Sequence, residues 1–359
     1  MFDKLIKVFD FCSEAVVISK DGEIVFLNAS AKNLFGETPK IEKPEDIFPQ
    51  QLLEHDSESF VGTAEIGENL MDVVVTRVDE YRIFCIMPTP PGEMESISNM
   101  LSIVAGSMSD PVTRINMASS ILLPQVEGMN NDRLSEYAAI INHGNFAMRR
   151  LLGNIKYLSR SFEEIRVSKK RFNLVSMLKA LVESIQILVE ERQIEISFVS
   201  KSDEIIIYAD AEMMEQMVLN LLSNSLKYTE PGGKITLSAK TAGGRVLISV
   251  ADTGCGISQE TLMSVWNRYG STKKMTDTKS GAGLGLHIVQ KIARLHDGSA
   301  VIESREGEGT TATVLIPVSE QCDTFMTGIS VLEPSGMSPL LVELSDVLDY
   351  KYYSKRFMD

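Results

Sequence analysis

The spacing of apolar residues changes character along the chain. In the first ninety residues the runs are short and strand-like. AVVIS, the turn Lys20-Asp21-Gly22 and then EIVFLN form two β-rich runs across an Asp-Gly turn, which predicts a hairpin. NASAKNLFG follows Leu27 and reads as a short helix stopped by Gly36. TAEIG, LMDVVVTRV and EYRIFCIMPT predict three more strands, and Pro88-Thr89-Pro90-Pro91-Gly92 marks a boundary.

Beyond that boundary the apolar residues recur at helical spacing. A first run extends from about Met94 to Leu123, and PQVEGMNN (124–131) predicts a break. A second run goes from about Asp132 to Glu164, through Leu134, Tyr137, Ile141, Phe146, Leu151 and Leu158. Two long amphipathic helices joined by a short loop form an antiparallel hairpin. Such a pair cannot bury its apolar stripes alone, so a second copy is expected to complete a dimeric four-helix bundle. Residues 170–318 mix both periods. FNLVSMLKALVESIQILVEERQ is helical, IEISFVS extended and AEMMEQMVLNLLSNSLKYT helical. A hairpin across Gly243-Gly244, the helix LGLHIVQKIARLHDG and a closing hairpin complete an α+β sandwich. The tail, residues 319–359, contains an apolar run, SPLLVELSDVL, before DYKYYSKRFMD; it reads as a packed terminal helix or as a segment docking on a neighbour.

Composition narrows the class. Of 359 residues, 44% are hydrophobic and 23% charged, as in an ordinary globular protein of two or three domains. No apolar run approaches the ~18 residues of a membrane helix, and the N-terminus lacks a signal-peptide pattern. A cytoplasmic location without a membrane span is therefore expected. The net charge is −14, and residues 1–92 carry −9 of it, which argues against a nucleic-acid partner. Cys12, Cys85, Cys255 and Cys322 are far apart and form no metal spacing. Among the four histidines, His55 stands alone, and His287 and His296 read as surface or packing residues.

The residues that carry chemistry lie in the third region. Gln216, Asn220, Asn224 and Lys227 share one face of a helix, followed by Tyr228. Asparagines on an apolar helix are costly unless they meet partners. Their neutral oxygens suit a hard cation, and Lys227 suits phosphate; the alternative is a solvated polar stripe. Asp252-Thr253-Gly254-Cys255-Gly256-Ile257 ends a strand and is either a plain turn or a carboxylate placed to accept the amine of adenine. Gly281-Ala282-Gly283-Leu284-Gly285 opens a helix, where free N–H groups and the helix dipole suit phosphate. No strand precedes it, so a dinucleotide fold fails its context test. Gly307-Glu308-Gly309-Thr310 precedes the last strand.

These pieces, in this order, resemble the asparagine box and glycine boxes of the histidine kinase ATP-binding domain, a fold shared with gyrase and the heat-shock chaperone ATPases. The resemblance implies an ATP site with Asn224 on Mg²⁺, Asp252 on adenine and Tyr228 near the base. Asn220, Gly254, Gly256, Leu284 and Thr310 would line it. Lys227, Arg268, Lys273 and Lys274 would lie near the phosphates, with Gly281, Gly283 and Gly285 around them and a lid over residues 258–280. Gyrase-like relatives place a water-activating Glu near the position of Asn220, and an asparagine there fits phosphoryl transfer better than hydrolysis.

In that family the first bundle helix carries a His-Glu/Asp-x-x-Thr/Asn-Pro motif. The matching stretch here is Ser109-Asp110-Pro111-Val112-Thr113-Arg114. The acid and Thr113 are present, but Ser109 stands in the histidine's place. A serine hydroxyl is a weak nucleophile without a base, whereas neutral imidazole is a good one near pH 7. Three readings stay open: a pseudo-kinase, a phosphatase or ATP-gated regulator using Asp110 and Thr113, or a relocated acceptor. His143 is the histidine of the hairpin. Counting from the loop sets it opposite residue 115, roughly 9 Å from Ser109.

AVVISKDGEIVFLNASAKNLFG resembles a PAS sensor domain. The resemblances together imply a cytoplasmic, homodimeric sensor histidine kinase that acts on a separate response regulator receiver domain. Its expected organisation is a PAS-like domain over 1–92, a helical dimerisation domain over 93–167, an ATP-binding domain over 168–318 and a tail over 319–359.

Overall fold

The computed structural model describes residues 14–36, 42–53, 59–66, 69–78, 80–87, 93–129, 131–160, 165–262, 284–318 and 338–354. Strands β1 (Ala15–Lys20) and β2 (Glu23–Leu27) pair antiparallel across the Asp21-Gly22 turn, where both residues take positive φ. Asn28 then caps helix α1 (Ala29–Phe35). Its buried Oδ1 accepts from Val16 N and Ala31 N, both at 2.9 Å, and its Nδ2 donates to Glu14 O at 2.8 Å. One amide thus ties the helix start to the first strand. Strands β3 (Ser59–Ile66), β4 (Asn69–Val78) and β5 (Tyr81–Met87) complete an antiparallel sheet in the order β2-β1-β5-β4-β3. Phe84, stacked on Phe48 at 4.3 Å, lies at its core.

Helix α2 (Glu93–Glu127) and helix α3 (Asp132–Ser159) form the antiparallel hairpin. The break expected at 124 starts later, because α2 accommodates both Pro111 and Pro124 and runs to Glu127. Each proline only removes one hydrogen bond from so long a helix. The register also differs from the count made from the loop. Asn145 Nδ2 donates to Ser119 Oγ at 2.7 Å, so the residues opposite His143 lie further along α2 than residue 115.

Strand β6 (Lys170–Asn173) takes the first residues of the stretch expected to be wholly helical, and helix α4 (Leu174–Val189) starts where Asn173 caps it. Strands β7 (Glu195–Ser200) and β8 (Ile206–Ala209) lead into helix α5 (Ala211–Tyr228). The remaining strands are β9 (Lys234–Ala242), β10 (Arg245–Asp252), β11 (Ser299–Arg305) and β12 (Gly309–Pro317), with helix α6 (Gly285–Leu295) before β11. Their sheet runs β11-β12-β10-β9-β7, antiparallel except for β7 on β9. Two residue pairs, Ile302 with Val61 and Glu303 with Phe60, join β11 to β3, so ten strands form one continuous sheet.

The described part of the tail, residues 338–354, is packed against the rest of the chain. Helix α7 (Pro339–Glu343) is only a short part of the apolar run, which continues through turns to a 3₁₀ turn at Tyr350–Tyr353. Leu340, Leu341, Leu344, Leu348, Tyr352 and Tyr353 are buried in the same core as Phe146 of α3 and the apolar faces of α4 and α5.

His287 and His296 are both buried packing residues. His296 Nδ1 donates to Ile292 O at 2.8 Å, and its Nε2 accepts from Asp210 N at 3.0 Å, so the ring is neutral. Burial pushes this imidazole below its ordinary value. The unfolded chain therefore takes up the proton first, near pH ~6.5, and the stabilisation is complete above that pH and fades as pH falls. The Tm advantage of the wild type over His296→Gln should narrow as pH drops from about 7.5 to about 5, measured by thermal unfolding.

Candidate functional site

Helix α5 positions the site. Asp210 caps it, accepting from Met213 N at 3.3 Å and from Ser168 N at 2.8 Å. Both flanks of the helix are apolar and buried, so the stripe of Gln216, Asn220, Asn224 and Lys227 lies within the core margin, not in open solvent. Asn220 is fully buried. Its Nδ2 donates to Gln216 O at 2.9 Å and to Glu343 Oε2 at 3.2 Å. Its Oδ1 has no partner among the described residues. That oxygen lies 2.8 Å from where a Cβ on Gly285 would sit, and Asn224 Nδ2 lies 3.8 Å from the same point. Only glycine lets the N-terminus of α6, with Leu284 before it, approach the two asparagines so closely.

Asp252 ends β10 on the other side of α5. Its Oδ2 accepts from Ser225 Oγ at 2.9 Å and its Oδ1 from Gly254 N at 2.9 Å. Thr310 N donates to it as well, opposite Asp252 in the β10–β12 ladder. Burial pushes the carboxyl up while these three donors pull it back. Gly256 takes φ +67°, and a Cβ there would lie 2.0 Å from Arg305 O. Tyr228 follows on α5 and is 46% exposed, and burial of its phenol raises it above the ordinary value. Lys227 Nζ sits 5.6 Å from the centre of that ring and 4.0 Å from Asp346 Oδ2. Burial, reinforced by the charge of Arg150, lowers the Lys227 ammonium.

The tail supplies groups that the sequence did not assign. Arg150 reaches across from α3; its Nε donates to Glu343 Oε2 at 3.2 Å, its Nη2 to Ser223 Oγ at 3.2 Å, and it pairs with Asp346. Burial pushes the Glu343 carboxyl up, and the facing guanidinium opposes that. The signal for Glu343 was present: an acid set among Leu340, Leu341 and Leu344 is buried on an apolar face and must find a cationic or amide partner. Ser223 and Ser225 gave no signal beyond their neighbours.

Asn220, Asn224, Lys227, Tyr228, Asp252, Gly254, Gly256, Leu284, Gly285 and Thr310 are thus gathered around α5. Arg268, Lys273, Lys274, Gly281 and Gly283 lie outside the described residues, as does most of the segment 258–280. Ser109, Asp110 and Thr113 sit in mid-α2. Ser109 Oγ donates to Ala105 O at 2.7 Å, and Thr113 Oγ1 donates to Ser109 O at 2.8 Å; Asp110 is exposed. His143 is occupied, its Nε2 donating to Ser345 O at 2.6 Å with the ring 4.8 Å from Tyr353.

The site fits an anionic nucleotide with a hard cation. An orphaned amide oxygen, a glycine-bared helix N-terminus and a half-buried ammonium converge there. Among the described residues no cluster of three His, Cys, Asp or Glu is built to hold a metal ion. A Mg²⁺ ion at this place would draw on asparagine and phosphate oxygens, the usual pattern for that ion.

Residues 209–320 match the family of histidine kinase-, DNA gyrase B- and HSP90-like ATPases. The chain is 30% identical over 250 residues to the histidine protein kinase DivJ of Caulobacter vibrioides, covering 69% of this chain and 42% of that protein. It is 29% identical over 224 residues to the sensor histidine kinase YclK of Bacillus subtilis, covering 60% and 46%. It is 29% identical over 229 residues to the adaptive-response sensory kinase SasA of Crocosphaera subtropica, covering 61% and 59%. The chain spans about half the length of these relatives. The structure of full-length ShkA in complex with AMPPNP shares the fold, with a TM-score of 0.51, 22% identity and 63% of this chain covered against 47% of that one. Among the described residues no helix is long and apolar enough to cross a membrane.

Gly256→Ala puts a side chain on a left-handed residue and into the Arg305 carbonyl. It should lower stability by about 1–3 kcal/mol in urea unfolding.

Proposed function

We propose that this chain, a member of the sensor histidine kinase family through its ATPase domain, binds Mg-ATP beside α5 and controls the phosphorylation of a separate response regulator. The observation that carries this reading is Asp252. A carboxylate at a strand end, oriented by Ser225, Gly254 and Thr310, is set to accept the exocyclic amine of an adenine. Tyr228 beside it offers a half-exposed ring face. Asn220 and Asn224 face the N-terminus of α6 at the other end of the site, where phosphates and Mg²⁺ would be held, with Asn224 as the metal ligand and Lys227 on phosphate. Arg268, Lys273, Gly281 and Gly283 would complete that end.

The five-stranded order β2-β1-β5-β4-β3 supports a PAS-like sensor over residues 1–92. The helical hairpin supports a dimerisation domain over 93–167. On α2, Met100, Ile103, Met117, Ile121 and Leu122 are each more than half exposed, an apolar face suited to a second copy of the chain. A cytoplasmic homodimer follows from the same reading.

A second reading is favoured by Ser109. Its hydroxyl proton is committed to Ala105 O, and among the described residues no base contacts the oxygen to activate it as a nucleophile. The chain would then act as an ATP-gated phosphatase or a non-catalytic regulator, with Asp110 and Thr113 placing a water.

Transfer of radiolabelled γ-phosphate from Mg-ATP separates these readings, together with equilibrium nucleotide binding. Asp252→Asn is expected to weaken ATP binding at least about tenfold, because the amide offers one acceptor fewer. Acid-stable label lost in Ser109→Ala marks a serine acceptor, and acid-labile label lost in His143→Ala marks a relocated histidine. Clear binding without label leaves the regulator. Absence of any ATP binding by the wild-type chain overturns the proposal.

A further inference from the structure

We infer that residues 338–354 form an internal strap whose carboxylates occupy the phosphate end of the nucleotide site, so that strap and nucleotide phosphates compete. The inference rests on the nucleotide reading above and adds a regulator of that site carried by the same chain.

Two features place the strap there. The first is charge. Glu343 contacts Asn220 and Arg150, and Asp346 contacts Arg150 and lies 4.0 Å from Lys227. Ser223, one residue before Asn224, accepts from Arg150 at 3.2 Å and has Asp346 Oδ1 at 3.4 Å. Two carboxylates therefore engage Arg150, Lys227 and the Nδ2 of Asn220 along this side of α5. Glu343 is almost wholly buried, so an approaching polyphosphate meets carboxylate charge in a medium that screens it poorly. Strap and phosphate cannot both hold Lys227 and the asparagine face.

The second feature is anchorage. The strap is fastened outside the site by contacts that do not involve the nucleotide groups. Asn142 Nδ2 donates to Tyr353 O at 2.8 Å, and Arg192 Nη1 donates to Val347 O at 3.0 Å. Tyr350 Oη donates to Glu136 at 2.9 Å, and Lys351 pairs with Glu191. Tyr353 is fully buried against His143 and Phe146. The same segment thus bridges α3, the end of α4 and α5. While it is seated, it ties the asparagine-bearing helix to the bundle and blocks the phosphate end; the Asp252 end stays clear of it.

The geometry gives a test at both ends. Glu343→Gln with Asp346→Asn keeps the strap's shape and removes its charge, and a chain ending at residue 337 removes the strap itself. Binding of Mg-ATP and of adenosine is measured by calorimetry on the full chain and on both variants. Mg-ATP affinity should rise at least about fivefold in the double variant, the lower end of usual coupling between sites, with adenosine affinity unchanged. By reciprocity, saturating Mg-ATP should raise amide hydrogen exchange over 338–354 of the wild-type chain. If removing the strap destabilises the fold, the double variant carries the result. Equal or weaker Mg-ATP binding in the double variant, with adenosine still bound, overturns the strap and leaves the nucleotide site standing. Loss of both ligands in every form, the wild type included, overturns the nucleotide reading and the strap with it.

Discussion

A polar stripe on a helix buried on both flanks has to be satisfied, and that requirement organises this molecule. Asn220 has no solvent to fall back on. One side of its amide is met by the helix's own Gln216 carbonyl and by a carboxylate from far along the chain, while the other side faces a bare glycine. An unsatisfied amide at that depth costs about 1–3 kcal/mol. The position of α7, the reach of Arg150 out of the helical hairpin and the close approach of α6 all answer to the same few atoms of α5.

The two ends of the site differ in how they are built. The Asp252 end is made by a strand end, a serine in the last turn of α5 and the residue directly opposite in the β10–β12 ladder. It is complete without the tail. The other end draws on α3, α5, α6 and the tail at once, so its state depends on how these elements sit together. In the proposed reading, base recognition falls on the first of these ends and the strap on the second.

Much of this was legible in the sequence, for physical reasons. Strand hairpins announce themselves through Asp21-Gly22 and Gly243-Gly244, because few residues tolerate those backbone angles. The α5 stripe stood out because asparagine is expensive on an apolar helix. The hairpin register was missed because counting from a loop ignores helix phase, and Pro124 was overrated as a breaker because α2 carries it in its last turn and runs on to Glu127. The tail was not placed because its partners lie some two hundred residues away: Asn142 meets Tyr353, and His143 meets Ser345. No local period encodes such contacts. Ser109 was read as standing in the place of the family's acceptor histidine, and its hydroxyl bonds backward along its own helix.

Among the contacts that hold helix α3, two lie far apart along it. Near its middle, Asn142 and His143 meet the tail; at its end, Lys291 of α6 donates to Tyr157 O at 2.8 Å. Fourteen positions between His143 and Tyr157 make about 21 Å of rod. A rod pinned once can swivel freely under its load. Pinned at both, at that spacing, it is a spacer that sets how far the seat of the tail lies from the seat of α6.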